Sequence, residues 1–249
     1  MTSDQYIATV EAEGTMLDEA ATRAGLGTPI PSCPGWTIVD LLRHLGEAHR
    51  WAATIVGEAR PSNLSETDWG AIRPPDDPAA AFGWFREGHT NLVATLRAAP
   101  ADLDCWHFLA APSPLAFWAR RQAHELTIHR VDAELATGDP RPSTIEHAVD
   151  GIDELLSGFF GDPRRRQRFD FTATVSVETT DADEAWRLAI EPGRCVTTRV
   201  RDDADCTLRG PATDLYHLLW NRTDPDTVAV SGDAGLVDAW RRTAQIRWS

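Results

Sequence analysis

Lysine is absent from this 249-residue chain, and all 24 basic residues are arginine. A Schiff-base lysine, a pyridoxal-phosphate lysine and the lysine of a phosphate-binding loop are therefore excluded. Cysteine is scarce: Cys33, Cys105, Cys195 and Cys206 lie far apart and form no C-x-x-C pair. Free thiols in a reducing cytoplasm are the expectation. No stretch approaches the roughly 18 apolar residues of a membrane span. The start, Met1 to Gln5, has no basic region leading into an apolar one, so no signal peptide is expected. Positive charge is also short. Against 38 acidic residues the 24 arginines leave a net charge of −14 and a pI near 4.9, which argues against a nucleic-acid partner, whose phosphates need clustered cations.

What remains is 42% hydrophobic and 25% charged, the balance of a soluble globular protein of one large or two small domains. The chain changes character near residue 160. Before it, apolar spacing is helical. A first helix starts at a Thr2-x-x-Gln5 capping box and runs to about Arg23. A second opens at Thr37, answered by Asp40, and runs to about Val56. Residues 58–76 read as a long loop, a third helix fits Pro78 to Leu96, and a fourth begins at Ser113-Pro114 and reaches Leu135. These four suggest an up-down bundle. A fifth helix opens at Ser143-x-x-Glu146 and ends near Gly161.

Beyond the cluster Arg164, Arg165, Arg166 and Arg168, read as a solvated linker, the period becomes two. Phe169, Phe171, Ala173, Val175 and Val177 alternate with polar residues, as do Trp186, Leu188 and Ile190, the pattern of strands with one buried face. Shorter strands at 195–200, 206–208 and 228–230 and helices from Gly210-Pro211 and Gly235 complete a small α+β unit. The fold class is α+β, mostly α: a four-helix bundle over 1–160, then an α+β domain over 168–249.

The fourth helix carries the chemistry. Glu125 and His129 are four apart, so they share one face, about 40° apart around the axis. A carboxylate and an imidazole so placed can grip one divalent ion, and Asp132 near the same stripe can accept from a ring nitrogen. Spacing alone leaves a plain Glu–His surface pair or a core histidine open. The metalloprotease motif is excluded, because His124 and His129 are five apart. A third donor has to come from another helix, and His44, beside Leu41, Leu42 and Leu45, is on a flank that should face the bundle. Two nitrogens and an oxygen suit zinc with an open fourth position; nickel, iron or manganese would tolerate them too. His49, five residues on, should point away, to the surface or behind a ligand. His89, His107, His147 and His217 have no partner at ligand spacing and read as structural.

Three blocks carry a resemblance. Pro34 to Gly46 followed by His49-Arg50-Trp51, then Glu125-x-x-x-His129 with Asp132, then Leu208 to Leu215 with Trp220-Asn221-Arg222 and Val230 to Asp233 resemble, in order, the signatures of the maleylpyruvate isomerase family. Those are mycothiol-dependent enzymes on a DinB-like metal-binding four-helix bundle. The resemblance implies metal binding by His44, Glu125 and His129, with mycothiol as thiol cofactor at the open position. A thiolate formed there would add to a cis double bond, allow rotation and leave, giving the trans product. It further implies an arginine for a small dianionic substrate, for which Arg73 and Arg121 are candidates with a solvated arginine as the alternative. Trp51 could wall the pocket and contact the cofactor, or pack in the core. Trp36 reads as a staple at the start of the second helix, and Cys33 as a spectator. The activity expected is maleylpyruvate isomerase-like. A mycothiol S-transferase and a non-catalytic metal-binding or sensor protein are the alternatives, with a small molecule and a low-molecular-weight thiol as partners.

Overall fold

In a computed structural model, which describes residues 1–138 and 140–246, the internal contacts divide the chain into Met1–Arg141 and Pro142–Ser249. The boundary thus falls earlier than the sequence expectation of 160–168. The helix opening at 145 belongs with the second unit, because its apolar face packs there.

The first unit is built on α1 (Ser3–Ala24), α2 (Ile38–Gly57), α4 (Ala81–Ala98) and α5 (Pro114–Leu135), with a short α3 (Glu66–Ala71) between α2 and α4. Their starts follow local chemistry. Thr2 and Gln5 form the expected capping box on α1, Thr37 and Asp40 form one on α2, and Ser113 accepts from the Ala116 N–H ahead of Pro114 on α5. The segment 58–76 is not all loop: Ser65 and Asp68 make a third capping box that starts α3. A helix this short has no apolar stripe to betray it.

Helix directions follow from their contacts. His44 meets Glu125 and Trp51 meets Trp118, so α2 and α5 are antiparallel. Tyr6 meets His124 and Glu13 meets Arg130, so α1 and α5 are parallel. Arg50 lies over Trp84, and a Cβ on Gly57 would touch Thr95, so α2 and α4 are parallel. The main packing pairs are α1 with α5 and α2 with α4, closed by α1 with α4 and α2 with α5. The bundle is therefore up-down-down-up, which corrects the simple up-down succession. Residues 58–80 must carry the chain back along α2, about 30 Å, before α4 can start parallel to it. Among the described residues no helix is long and apolar enough to cross a membrane.

The second unit opens with α6 (Ile145–Asp153), capped by Thr144 rather than Ser143, and passes into a π-helical run over Glu154–Phe160. A five-stranded sheet follows: β1 (Ala173–Thr179), β2 (Ala185–Glu191), β3 (Arg194–Thr198), β4 (Cys206–Gly210) and β5 (Ala229–Gly232). The order is β3-β2-β1-β4-β5, with β1 and β4 parallel and all other pairs antiparallel. The parallel pair is entered by a crossover through β2 and β3, while α7 (Ala212–Leu219) connects β4 to β5 and α8 (Gly235–Thr243) follows. Val175 opposes Leu188 and Cys206, and Val177 opposes Trp186 and Leu208. All six are buried, so the alternation marks one core face. Phe169 and Phe171 fall outside β1. There the chain bonds to the Gly193 turn instead of a partner strand, and Phe169 packs on Phe160 and Trp240.

The parallel approach of α2 and α4 depends on a missing side chain. A Cβ on Gly46 would lie 2.3 Å from the Trp84 ring, whereas one on Gly83 of α4 would meet nothing within 4 Å among the described residues. Gly46→Ala is expected to lower stability by about 1–3 kcal/mol through overpacking. Gly83→Ala should raise it by about 0.5–1 kcal/mol through helix propensity. Urea denaturation of both variants checks the pair, and equal effects would contradict the close approach.

Candidate metal centre

Glu125 is near the middle of α5, and its carboxylate is buried. Its Oε1 is 2.9 Å from Nε2 of His44 on α2 and 3.4 Å from Nε2 of His129 one turn on. Its Oε2 accepts from the Arg121 guanidinium at 3.0 Å, one turn back. The structure thus brings His44, Glu125 and His129 together, each offering one ligand atom within 4.8 Å of the others. The two imidazoles meet edge to face at 4.9 Å between centroids.

Behind His129, Nδ1 is 2.8 Å from Oδ2 of fully buried Asp132. Because a carboxylate only accepts, this nitrogen is assigned the proton, which leaves Nε2 as the ring nitrogen that could coordinate a cation. Without a cation the same logic puts a second proton on the ring, between Nε2 and Glu125. Burial alone would depress the His129 pKa, but the hydrogen bonds to Asp132 and Glu125 outweigh it and push it up to about 9. Glu125 shows the mirror image. Burial would raise its pKa, and the bonds from His129 and His44 with the Arg121 charge hold it well below the ordinary carboxylate range. The donor set fits a divalent cation on its chemistry: two imidazole nitrogens and a carboxylate, with the tautomer of one ring already set.

The remaining candidates part company. Arg121 is 1% exposed and is bonded to Glu125; it neutralises a donor and does not lie open to a substrate. Arg73 is exposed and close enough to half-buried Glu47, one turn beyond His44, to favour its charged form. Burial nonetheless leaves the Glu47 pKa raised. Trp51 is not at the donors. About 10 Å further along α2, it packs edge-on against Trp118 and stacks on Phe108, with its N–H given to Asn63. His49 corrects the surface expectation: it is fully buried, its ring against Phe85 and His89, with no partner on either nitrogen among the described residues. Burial, followed by the His89 charge, holds it neutral.

Sequence reasoning missed Trp36. Its indole lies 5.2 Å from the His44 ring and stacks on His129 at 6.2 Å and 15°, so it covers the donors as well as preceding α2. It missed Cys33 too, whose Sγ is 3.4 Å from Asp132. A tryptophan placed just before a helix carries no signal that separates packing from lining a site; only the proximity of α5 does.

A model of the N-terminal domain of mycothiol maleylpyruvate isomerase matches residues 8–134, and a model of the C-terminal domain of the same family matches 146–239. No curated protein matches. Among solved structures, a histidine-to-alanine mutant of the mycothiol-dependent maleylpyruvate isomerase aligns with a TM-score of 0.66 at 12% identity, covering 94% of this chain and 95% of that one. A second crystal structure of that isomerase aligns at 0.63 and 13%, with the same coverage. At these identities the likeness is one of fold.

The raised His129 pKa has a consequence for the metal-free protein. A group whose folded pKa exceeds its ordinary value of 6.5 stabilises fully below that value and stops doing so as pH rises through about 9. Relative to a His129→Gln variant, chelator-treated protein should lose on the order of 3 kcal/mol between those limits. Unfolding free energies measured across this range check it, and a constant difference would contradict the doubly bonded ring.

Proposed function

The chain belongs to the mycothiol maleylpyruvate isomerase family, and from that premise we propose that it is a metal- and mycothiol-dependent enzyme acting on a small electrophilic metabolite, by cis–trans isomerisation. The observation that carries the reading is the convergence of both Nε2 atoms, from two helices, on one buried carboxylate oxygen. His44, Glu125 and His129 would hold a divalent cation, zinc by preference for two nitrogens and an oxygen. When bound, the cation lowers the pKa of a thiol at its open position, supplying a nucleophile at neutral pH whose addition to a double bond is reversible.

The chain's own residues do the rest. Asp132 keeps the proton on Nδ1 of His129 and aims Nε2 at the cation. Arg121 keeps Glu125 charged although it is buried. Trp36 covers the two imidazoles and excludes water from that side. Arg73, exposed near Glu47, is the group proposed to attract the carboxylates of a dianionic substrate. A mycothiol S-transferase would use the same donors, and the two activities differ in whether the thiol is returned or consumed. A sensor would keep the donors and show neither.

Purified protein is expected to hold about one divalent metal per chain by elemental analysis, lost in His44→Ala and in Glu125→Ala. Uptake must displace the His129 proton, so zinc affinity should rise about tenfold per pH unit from 7 toward 9 and then level. Calorimetry in buffers of different ionisation enthalpy reads that proton directly. No metal after reloading with zinc would sink the reading.

With a cis-unsaturated dianion and a thiol, the substrate should convert while the thiol concentration holds steady. Arg73→Ala should raise KM about tenfold or more, the loss of a charge-assisted contact, with a smaller effect on kcat. Stoichiometric disappearance of thiol would instead establish the transferase.

A further inference from the structure

The turn before α2 reaches behind the donors. It is closed at its base by the Pro29–Thr37 bridge and the Ile30 N–H to Trp36 carbonyl bond. Within it, the Cys33 N–H bonds to the Ile30 carbonyl and the Trp36 N–H to the Cys33 carbonyl. Gly35, at φ +88°, supplies the left-handed residue that lets the turn close. Two side chains of this turn end on Asp132. Ser32 Oγ donates to Oδ1 at 2.5 Å, and Cys33 Sγ donates to Oδ2 at 3.4 Å, the same oxygen that meets His129 Nδ1. Asp132 is fully buried, about 100 residues away in sequence from both.

We propose that Ser32 and Cys33 are positioning residues that orient the Asp132 carboxylate on Nδ1 of His129 and thereby keep Nε2 as its coordinating nitrogen. Rotation of the carboxylate about its Cβ–Cγ bond would release the ring, and donors on both of its oxygens oppose that rotation. With one donor on each oxygen, its plane is set from the other side. Trp36, on the same turn, stacks on the ring that Asp132 holds, so a single backbone turn controls both the hydrogen bond and the face of His129. Cys33, His129 and Asp132 also lie within metal-binding distance of one another. A cation there would need Nδ1, which the bond to Asp132 occupies, so the cluster is read as support for the first site.

The proposal rests on the metal reading above, and the test separates the two. The variants are Ser32→Ala with Cys33→Ala, against Ser32→Thr with Cys33→Ser, which keep a donor at each place. Zinc affinity from chelator competition should fall about 10–100-fold in the alanine pair and stay within about threefold of wild type in the conservative pair. In metal-free protein, the Nδ1 proton of His129 should give a slowly exchanging NMR signal that broadens in the alanine pair and returns in the conservative pair. Thermal unfolding of both pairs identifies a loss of fold, which would move all readouts in both. If wild type binds no zinc, the metal reading fails while the Nδ1 signal still tests the clamp. An unchanged signal and affinity in the alanine pair, or two zinc ions per wild-type chain, would overturn the proposal.

Discussion

A carboxylate buried among helices persists as an anion only when its neighbours replace the water it has lost, and Glu125 sets the terms for the bundle around it. One oxygen faces two imidazoles and the other a buried guanidinium. His44 can reach it only if α2 runs antiparallel to α5 at one register, the register that also puts Trp51 on Trp118. Moving α2 by a single residue along this contact would separate His44 from Glu125 and leave the carboxylate underpaired. The polar contact therefore selects among helix alignments that apolar packing alone would leave close in energy.

The same helix carries a second buried charge network on its opposite side. Arg130 bonds to Glu13 of α1 and to Glu134, which in turn holds Arg141. Arg130 and Glu134 lie about 140–180° around the axis from Glu125. So α5 presents charges to α2 on one flank and to α1 on the other, and it is buried almost throughout from Phe117 to Glu134. Fully paired networks of this kind hold helices rigidly, because any displacement leaves buried charges unsatisfied. A candidate centre whose donors span two helices needs that rigidity, since an error of an ångström between His44 and Glu125 would part them.

These two networks also explain which features the sequence discloses. The ends of α1, α2 and α5 are legible because capping is local: a Thr or Ser and its partner three residues on. The apolar faces of β1 and β2 are legible because every apolar residue of the alternation, from Ala173 to Val177 and from Trp186 to Ile190, is buried, although Ser176 of the polar phase is buried as well. Glu125, His129 and Asp132 share a stripe by helical geometry. What is not legible depends on alignment between distant segments. The burial of His49, the arrival of Trp36 over the imidazoles and the bonds from Ser32 and Cys33 to Asp132 all require knowing where α2 lies against α4 and α5. The polar residues of α5 resemble solvent-facing ones in a periodicity count, yet Glu125, Arg130 and Asp132 are inside with partners on other segments, His44, Glu13 and Ser32.

All the candidate donors and their supports come from two stretches, 32–44 and 121–132. The walls can be supplied by α1 and α4 without contributing a donor. Parallel packing of α2 and α4 requires a connection as long as the helix it retraces, and residues 58–80 are that connection. Its returning limb passes the donor end of α2, where the Arg43 guanidinium bonds to the Asp76 carbonyl and Arg73 comes near Glu47. The segment that the helix directions make unavoidable is thus also the one that brings the exposed Arg73 near Glu47, one turn beyond His44. Its sequence can vary without disturbing the donors, because none of them lies on it.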